Sequence, residues 1–126
     1  MKPFRSTLMA ALVLAFSAPA ATQPGQPAQT IEVYSYGFKP HPIHIAAGKP
    51  VTLTFTNTSG HGHDFTAKQF FAAATITAGS APKGEIDLKG HETRSITLIP
   101  RAGSYSAHCS HFMHSTMGMT DVINVD

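Results

Sequence analysis

The stretch Val51-Thr52-Leu53-Thr54-Phe55-Thr56-Asn57 places an apolar side chain at every second position. Successive side chains of a strand point to opposite faces, so Val51, Leu53 and Phe55 line one face and the threonines the other. That is the pattern of a half-buried strand, and Ser95-Ile96-Thr97-Leu98 repeats it. Working outward, further β-type runs cover 31–36, 43–46, 85–88, 93–99, 104–108 and 119–125, separated by Gly, Pro and Asn. Short strands at this spacing predict an all-β chain folded as a two-sheet Greek-key β-sandwich. One stretch breaks the pattern. Residues 67–74, with Phe70 and Phe71 followed by three alanines, predict a short helical excursion that lids the sandwich.

The first twenty residues have the build of a secretory signal peptide: Lys2 and Arg5 ahead, the apolar run Leu8 to Phe16, then the small-residue site Ala18-Pro19-Ala20. The apolar run is well short of the roughly 20 residues needed to span a bilayer, so the expectation is cleavage and no membrane anchor afterwards. Residues 21–29 carry two prolines and no apolar periodicity and are expected to be a flexible lead-in, leaving 30–126 as one domain. Of the nine Lys and Arg in the chain, two lie in the leader, leaving seven against seven Asp and Glu. A chain balanced in this way gives no reason to expect nucleic acid or a membrane surface as a partner. Export of a soluble monomer to the periplasm is the expectation.

Cys109 is the single cysteine. In an exported protein it has no internal disulfide partner, and a bound metal explains its presence. It opens the segment Cys109-Ser110-His111-Phe112-Met113-His114-Ser115-Thr116-Met117-Gly118-Met119, and a second His-bearing turn, His61-Gly62-His63-Asp64-Phe65, lies upstream. Two imidazoles, a thiolate and a weak thioether are the donor set of a mononuclear blue-copper electron-transfer site. Within the loop, His114 is favoured over His111, because the two-residue spacing from Cys109 gives no chain reversal. Met119 is favoured over Met117, because Gly118 permits a tight approach to the start of the loop. His41, His44, His61 and His91 read as surface histidines.

These residues resemble the cupredoxin family, in particular its small bacterial periplasmic members. The likeness is carried by Ala47-Gly48-Lys49-Pro50 leading through the quoted strand to His63-Asp64-Phe65, then Gly103-Ser104-Tyr105 before Cys109, and Gly118-Met119 at the end of the loop. It implies a cupredoxin-like domain over 30–126, with His63 and His114 as imidazole ligands, Cys109 as the thiolate and Met119 as the axial thioether of one copper ion cycling between Cu(I) and Cu(II). Where many members carry Asn or Ser after the first His ligand, this chain has Asp64, for which Ser110 is a natural partner.

The function so implied is one-electron transport to a redox partner protein such as a cytochrome. The alternative is a periplasmic copper-handling or resistance protein that passes the metal to an acceptor protein, for which His111, Met113 and Met117 supply extra soft or borderline donors. An enzyme is not expected: the chain is too short to hold additional copper centres, and it offers no nucleophile with an adjacent base, phosphate loop or paired carboxylates.

Overall fold

The computed structural model describes residues 27–126; the expected signal peptide and most of the expected lead-in lie outside them. Two five-stranded sheets face each other. The first contains β1 (Ala28–Tyr34), β2 (Gly37–Lys39), β4 (Val51–Asn57), β6 (Thr75–Ala78) and β8 (Thr93–Ile99) in the order β2-β1-β4-β8-β6. The second contains β3 (Ile43–Ile45), β5 (His63–Thr66), β7 (Glu85–Leu88), β9 (Gly103–His108) and β10 (Thr120–Val125) in the order β3-β10-β9-β5-β7. Most neighbours are antiparallel, but β1 runs parallel to β4 and β3 parallel to β10. This is the all-β sandwich that the alternating strands predict.

The alternation of β4 is realised directly: Val51, Leu53 and Phe55 are buried while the threonines between them are half-buried. Ile31 and Val33 from β1 and Ile96 and Leu98 from β8 extend that apolar face, and Phe65, Ile86, Leu88, Ala107 and Ile123 meet it from the second sheet. The Phe55 and Phe65 rings lie 4.8 Å apart across the middle. Each such side chain contributes about 1.5–3 kcal/mol on burial, so the core outweighs any single polar contact in holding the sheets together.

The excursion is α1 (Lys68–Ala73). It has no side-chain cap, and its buried Phe70 and Phe71 anchor it, with Phe70 edge-on to Tyr105 at 5.6 Å. β1 opens at Ala28, within the expected lead-in and two residues ahead of Thr30, because its parallel partner β4 pairs with it from Ala28 onward.

The ends of the described chain meet at one pole. Pro27 O accepts from Thr52 N and Asp126 O from Ala47 N. From that pole β4 runs to Asn57, roughly 20 Å away at about 3.3 Å per residue. The far pole carries the residues considered next.

Candidate metal centre

His63 opens β5, directly after the turn that follows β4. Asn57, the last and buried residue of β4, shapes that turn: its amide donates to His61 O and Lys89 O at 2.7 and 3.0 Å, and its side-chain oxygen accepts from Ser59 N and Ser59 Oγ. All four residues of β5 are buried. Its neighbour β9 ends beside it, in register Thr66 to His108, so Cys109 emerges next to Asp64. The chain then folds through turns, with His114 N donating to His111 O and Met119 N to His114 O. Cys109 N finally donates to Met119 O at 3.1 Å and closes the loop at its base.

This closure brings His63, Cys109 and His114 together, the first two buried and the third partly so. His63 Nδ1 lies 3.2 Å from His114 Nδ1 and 3.9 Å from Cys109 Sγ, and Sγ lies 3.5 Å from His114 Nδ1. A triangle of these sides has its centre about 2.1 Å from every corner, close to the roughly 2.0–2.3 Å of zinc–imidazole and zinc–thiolate bonds. The donor geometry therefore fits one transition-metal ion without rearrangement. Met119 is fully buried, and its backbone is tied to both Cys109 and His114. A thiolate, two imidazoles and a thioether are a set that suits a single copper ion.

The other donors of the loop lie outside the triangle. His111 Nε2 sits 3.6 Å from Asp64 Oδ2 and 3.9 Å from Asp87 Oδ1, and its ring stacks on His114 at 5.4 Å. Met113 and Met117 are 56% and 53% exposed. Gly118 has a φ of +94°, yet a Cβ there would meet nothing within 4 Å. Backbone conformation, rather than close approach, is what calls for glycine at that position.

Asp64 ties the two ligand segments together. It is 2% exposed and accepts from Thr66 Oγ1 at 2.7 Å, from Ser110 N at 2.9 Å and from Ser110 Oγ. Its own backbone N–H donates to Cys109 Sγ at 3.4 Å. Burial pushes the Cys109 thiol above its usual range, and the N–H groups of Asp64 and His111 oppose this by favouring the thiolate. His63 is held below the usual imidazole range, first by burial and then by the proximity of His114. Both shifts favour an uncharged cluster in the metal-free protein.

Two residues at the tip between β1 and β2 complete the centre, and no sequence pattern marks them. Ser35 Oγ lies 2.8 Å from His63 Nε2. The Tyr36 ring stands edge-on to His63 at 6.0 Å and to His114 at 5.1 Å. Gly37 follows the tip, and the Tyr34 ring packs over it, with the hydroxyl 2.6 Å from where a Cβ would stand. His41, expected to be an ordinary surface histidine, is exposed but pairs with the buried Asp121 at 2.9 Å.

Three solved structures share the architecture. The dithionite-reduced auracyanin of the photosynthetic bacterium Roseiflexus castenholzii aligns at a TM-score of 0.60 and 17% identity, over 80% of this chain and 98% of its own. Auracyanin A, a "blue" copper protein of the green thermophilic photosynthetic bacterium Chloroflexus aurantiacus, aligns at 0.58 and 19%, over 81% and 100%. Auracyanin B aligns at 0.57 and 20%, over 87% and 95%. At these identities the likeness concerns the fold. A comparison with curated protein sequences finds no match. The model of the cupredoxin-like domain matches residues 7–122, nearly the whole sequence, and with the sandwich and the donor cluster at its pole the chain belongs to that family.

Proposed function

We propose that this chain is an exported one-electron carrier with a mononuclear type 1 copper site, in which His63, Cys109 and His114 are the strong ligands and Met119 the weak axial one. The observation that carries the reading is the compact, largely buried triangle of two Nδ1 atoms and one Sγ. When bound, copper supplies a Cu(I)/Cu(II) couple. The residues of the chain do the rest. β5 and the closed loop fix three donors in a geometry that suits neither oxidation state perfectly, which limits rearrangement on electron transfer. Asp64 clamps the two ligand segments, and the core packed beneath them excludes water.

His114 is the ligand nearest solvent, and Phe112, Met113, Met117 and Tyr36 stand exposed around it. An apolar rim of this kind suits a brief encounter with a redox protein through a small interface that releases quickly. The leader-like residues 1–20 support delivery to the periplasm. Among the described residues no helix is long and apolar enough to cross a membrane. The deciding measurement is the visible spectrum of the copper-loaded protein: an intense thiolate-to-Cu(II) charge-transfer band is expected, and its absence would remove the assignment.

Copper handling is the second reading, and the exposure of Met113 and Met117 is what favours it. Thioethers held in solvent can take up Cu(I) from outside the centre and release it again, whereas Met119 is buried within the centre.

A further inference from the structure

Of the four proposed ligands, His63, Cys109 and Met119 are fully buried, and His114 alone is half-buried. We propose that the Tyr36 ring is a latch on His114, a positioning residue that holds this imidazole over the centre and so slows the release of bound copper. The inference rests on the ligand set proposed above and concerns how long that set keeps its metal.

Release begins at the ligand that can leave with least disturbance. His63 is paired with Leu88 of β7, and Cys109 and Met119 are joined by the hydrogen bond that closes the loop, so moving any of them breaks backbone pairing. His114 stands inside the loop and is followed by the exposed run Ser115 to Gly118. Its imidazole can swing outward about its own side-chain bonds while its backbone contacts to His111 and Met119 persist. Exposed side chains turn in this way within picoseconds to nanoseconds unless something packs against them.

Three rings flank that imidazole. His63, at 4.9 Å, is its neighbour across the donor triangle. His111 stacks on it at 5.4 Å but belongs to the same loop, and so gives no support from outside it. Tyr36 stands edge-on at 5.1 Å with the ring planes at 63°, and it alone comes from an element that carries no proposed ligand. The tip that bears it is firmly held: Tyr34 pairs with Gly37 across it, and the adjoining Phe38 is buried edge-on to Phe65 at 5.2 Å. Tyr36 also meets His63 at 6.0 Å, so one ring braces both imidazoles. To turn away from the centre, His114 has to give up the Tyr36 contact or push the ring aside. A single edge-on ring pair is strong enough to slow such a step by about 2–12-fold.

The test follows transfer of Cu(I) from the loaded protein to excess coloured chelator, at concentrations where the rate no longer depends on the chelator. Tyr36→Ala and Tyr36→Leu, which lack the ring, should release copper about 2–12-fold faster than wild type, and Tyr36→Phe, which keeps it, should match wild type. In the copper-free protein, spin relaxation of the His114 ring should show it more mobile in the Ala and Leu variants, a change that general destabilisation would not confine to one ring. Release less than twofold faster in both variants overturns the inference, as does an unchanged His114 ring or a Tyr36→Phe as fast as Tyr36→Ala. His114→Ala separates the two failures. If it leaves the charge-transfer band intact, the ligand set is wrong and the latch falls with it; if it removes the band while Tyr36→Ala releases copper at the wild-type rate, the latch alone is wrong.

Discussion

Cys109 and His63 carry opposite pKa shifts, and the copper-free protein should report both. Burial lowers the His63 pKa below its usual 6.5, so below that pH the unfolded chain binds protons that the folded chain refuses, and stability falls as pH drops. Burial raises the Cys109 pKa above its usual 9.0, so above that pH the folded chain retains a proton that the unfolded chain releases, and stability falls again. Denaturation midpoints at about pH 5, 7.5 and 10 should therefore peak in the middle. Cys109→Ser should flatten the alkaline arm, abolish the coloured centre and leave the fold intact; colour retained after that substitution would remove Cys109 as ligand. His63→Ala and His114→Ala should each cripple the copper site, while His111→Ala, outside the triangle, should change it little. Met119→Leu should keep the site and raise the reduction potential, since losing a weak donor destabilises Cu(II) more than Cu(I). The same change at the exposed Met117 should be nearly silent, and reversed outcomes would make Met117 the axial ligand.

Between the elements, the Asp64 clamp joins β5 to the loop after β9. Truncation to Ala strands the Ser110 and Thr66 donors and should cost about 2–4 kcal/mol in chemical denaturation. A loss under about 0.5 kcal/mol, the range of ordinary surface changes, would mean the clamp is incidental. The same region shows where sequence reading succeeds and fails. β4, β7 and β8 lie where periodicity or β-type composition puts them, because each presents apolar residues to the core and polar ones away from it. β5 was legible only as a turn. Its sequence His-Asp-Phe-Thr mixes polar and apolar residues while all four positions are buried, since the outward Asp64 and Thr66 are covered by the Ser110 turn. β6 is an exposed edge strand with no core-facing pattern, and the three-residue β2, which puts only Phe38 into the core, is too short to show a period. In the centre, His63, Cys109, His114 and Met119 stand out by type and spacing, and the structure brings the first three together. Ser35 and Tyr36 do not stand out, because they lie far from His63 along the chain, Ser35 by 28 positions, and belong to no motif.

For the molecule as a whole, the loop that carries His114 has no formal charge of its own to steer a partner, and Asp87 is the exposed carboxylate beside it. Residues 110–118 contain no Asp, Glu, Lys or Arg, and acidic and basic residues balance beyond the leader. Electron exchange with a cytochrome should therefore vary less than about threefold between 10 and 200 mM salt, whereas electrostatically steered association falls steeply with ionic strength. A steep fall would place the docking surface elsewhere. Titrating Cu(I) into wild type and into a variant with His111, Met113 and Met117 all changed to Ala separates the two functional readings. One equivalent in both supports electron transport, and two against one supports copper handling.

The meeting of residues 27 and 126 at the pole remote from His114 bears on how this protein can be mounted. A linker attached at residue 27 or residue 126, whether to an electrode surface, a resin or a second domain, starts from the pole opposite the exposed Phe112. Attachment there leaves the metal pole turned away from the support, with no surface residue altered.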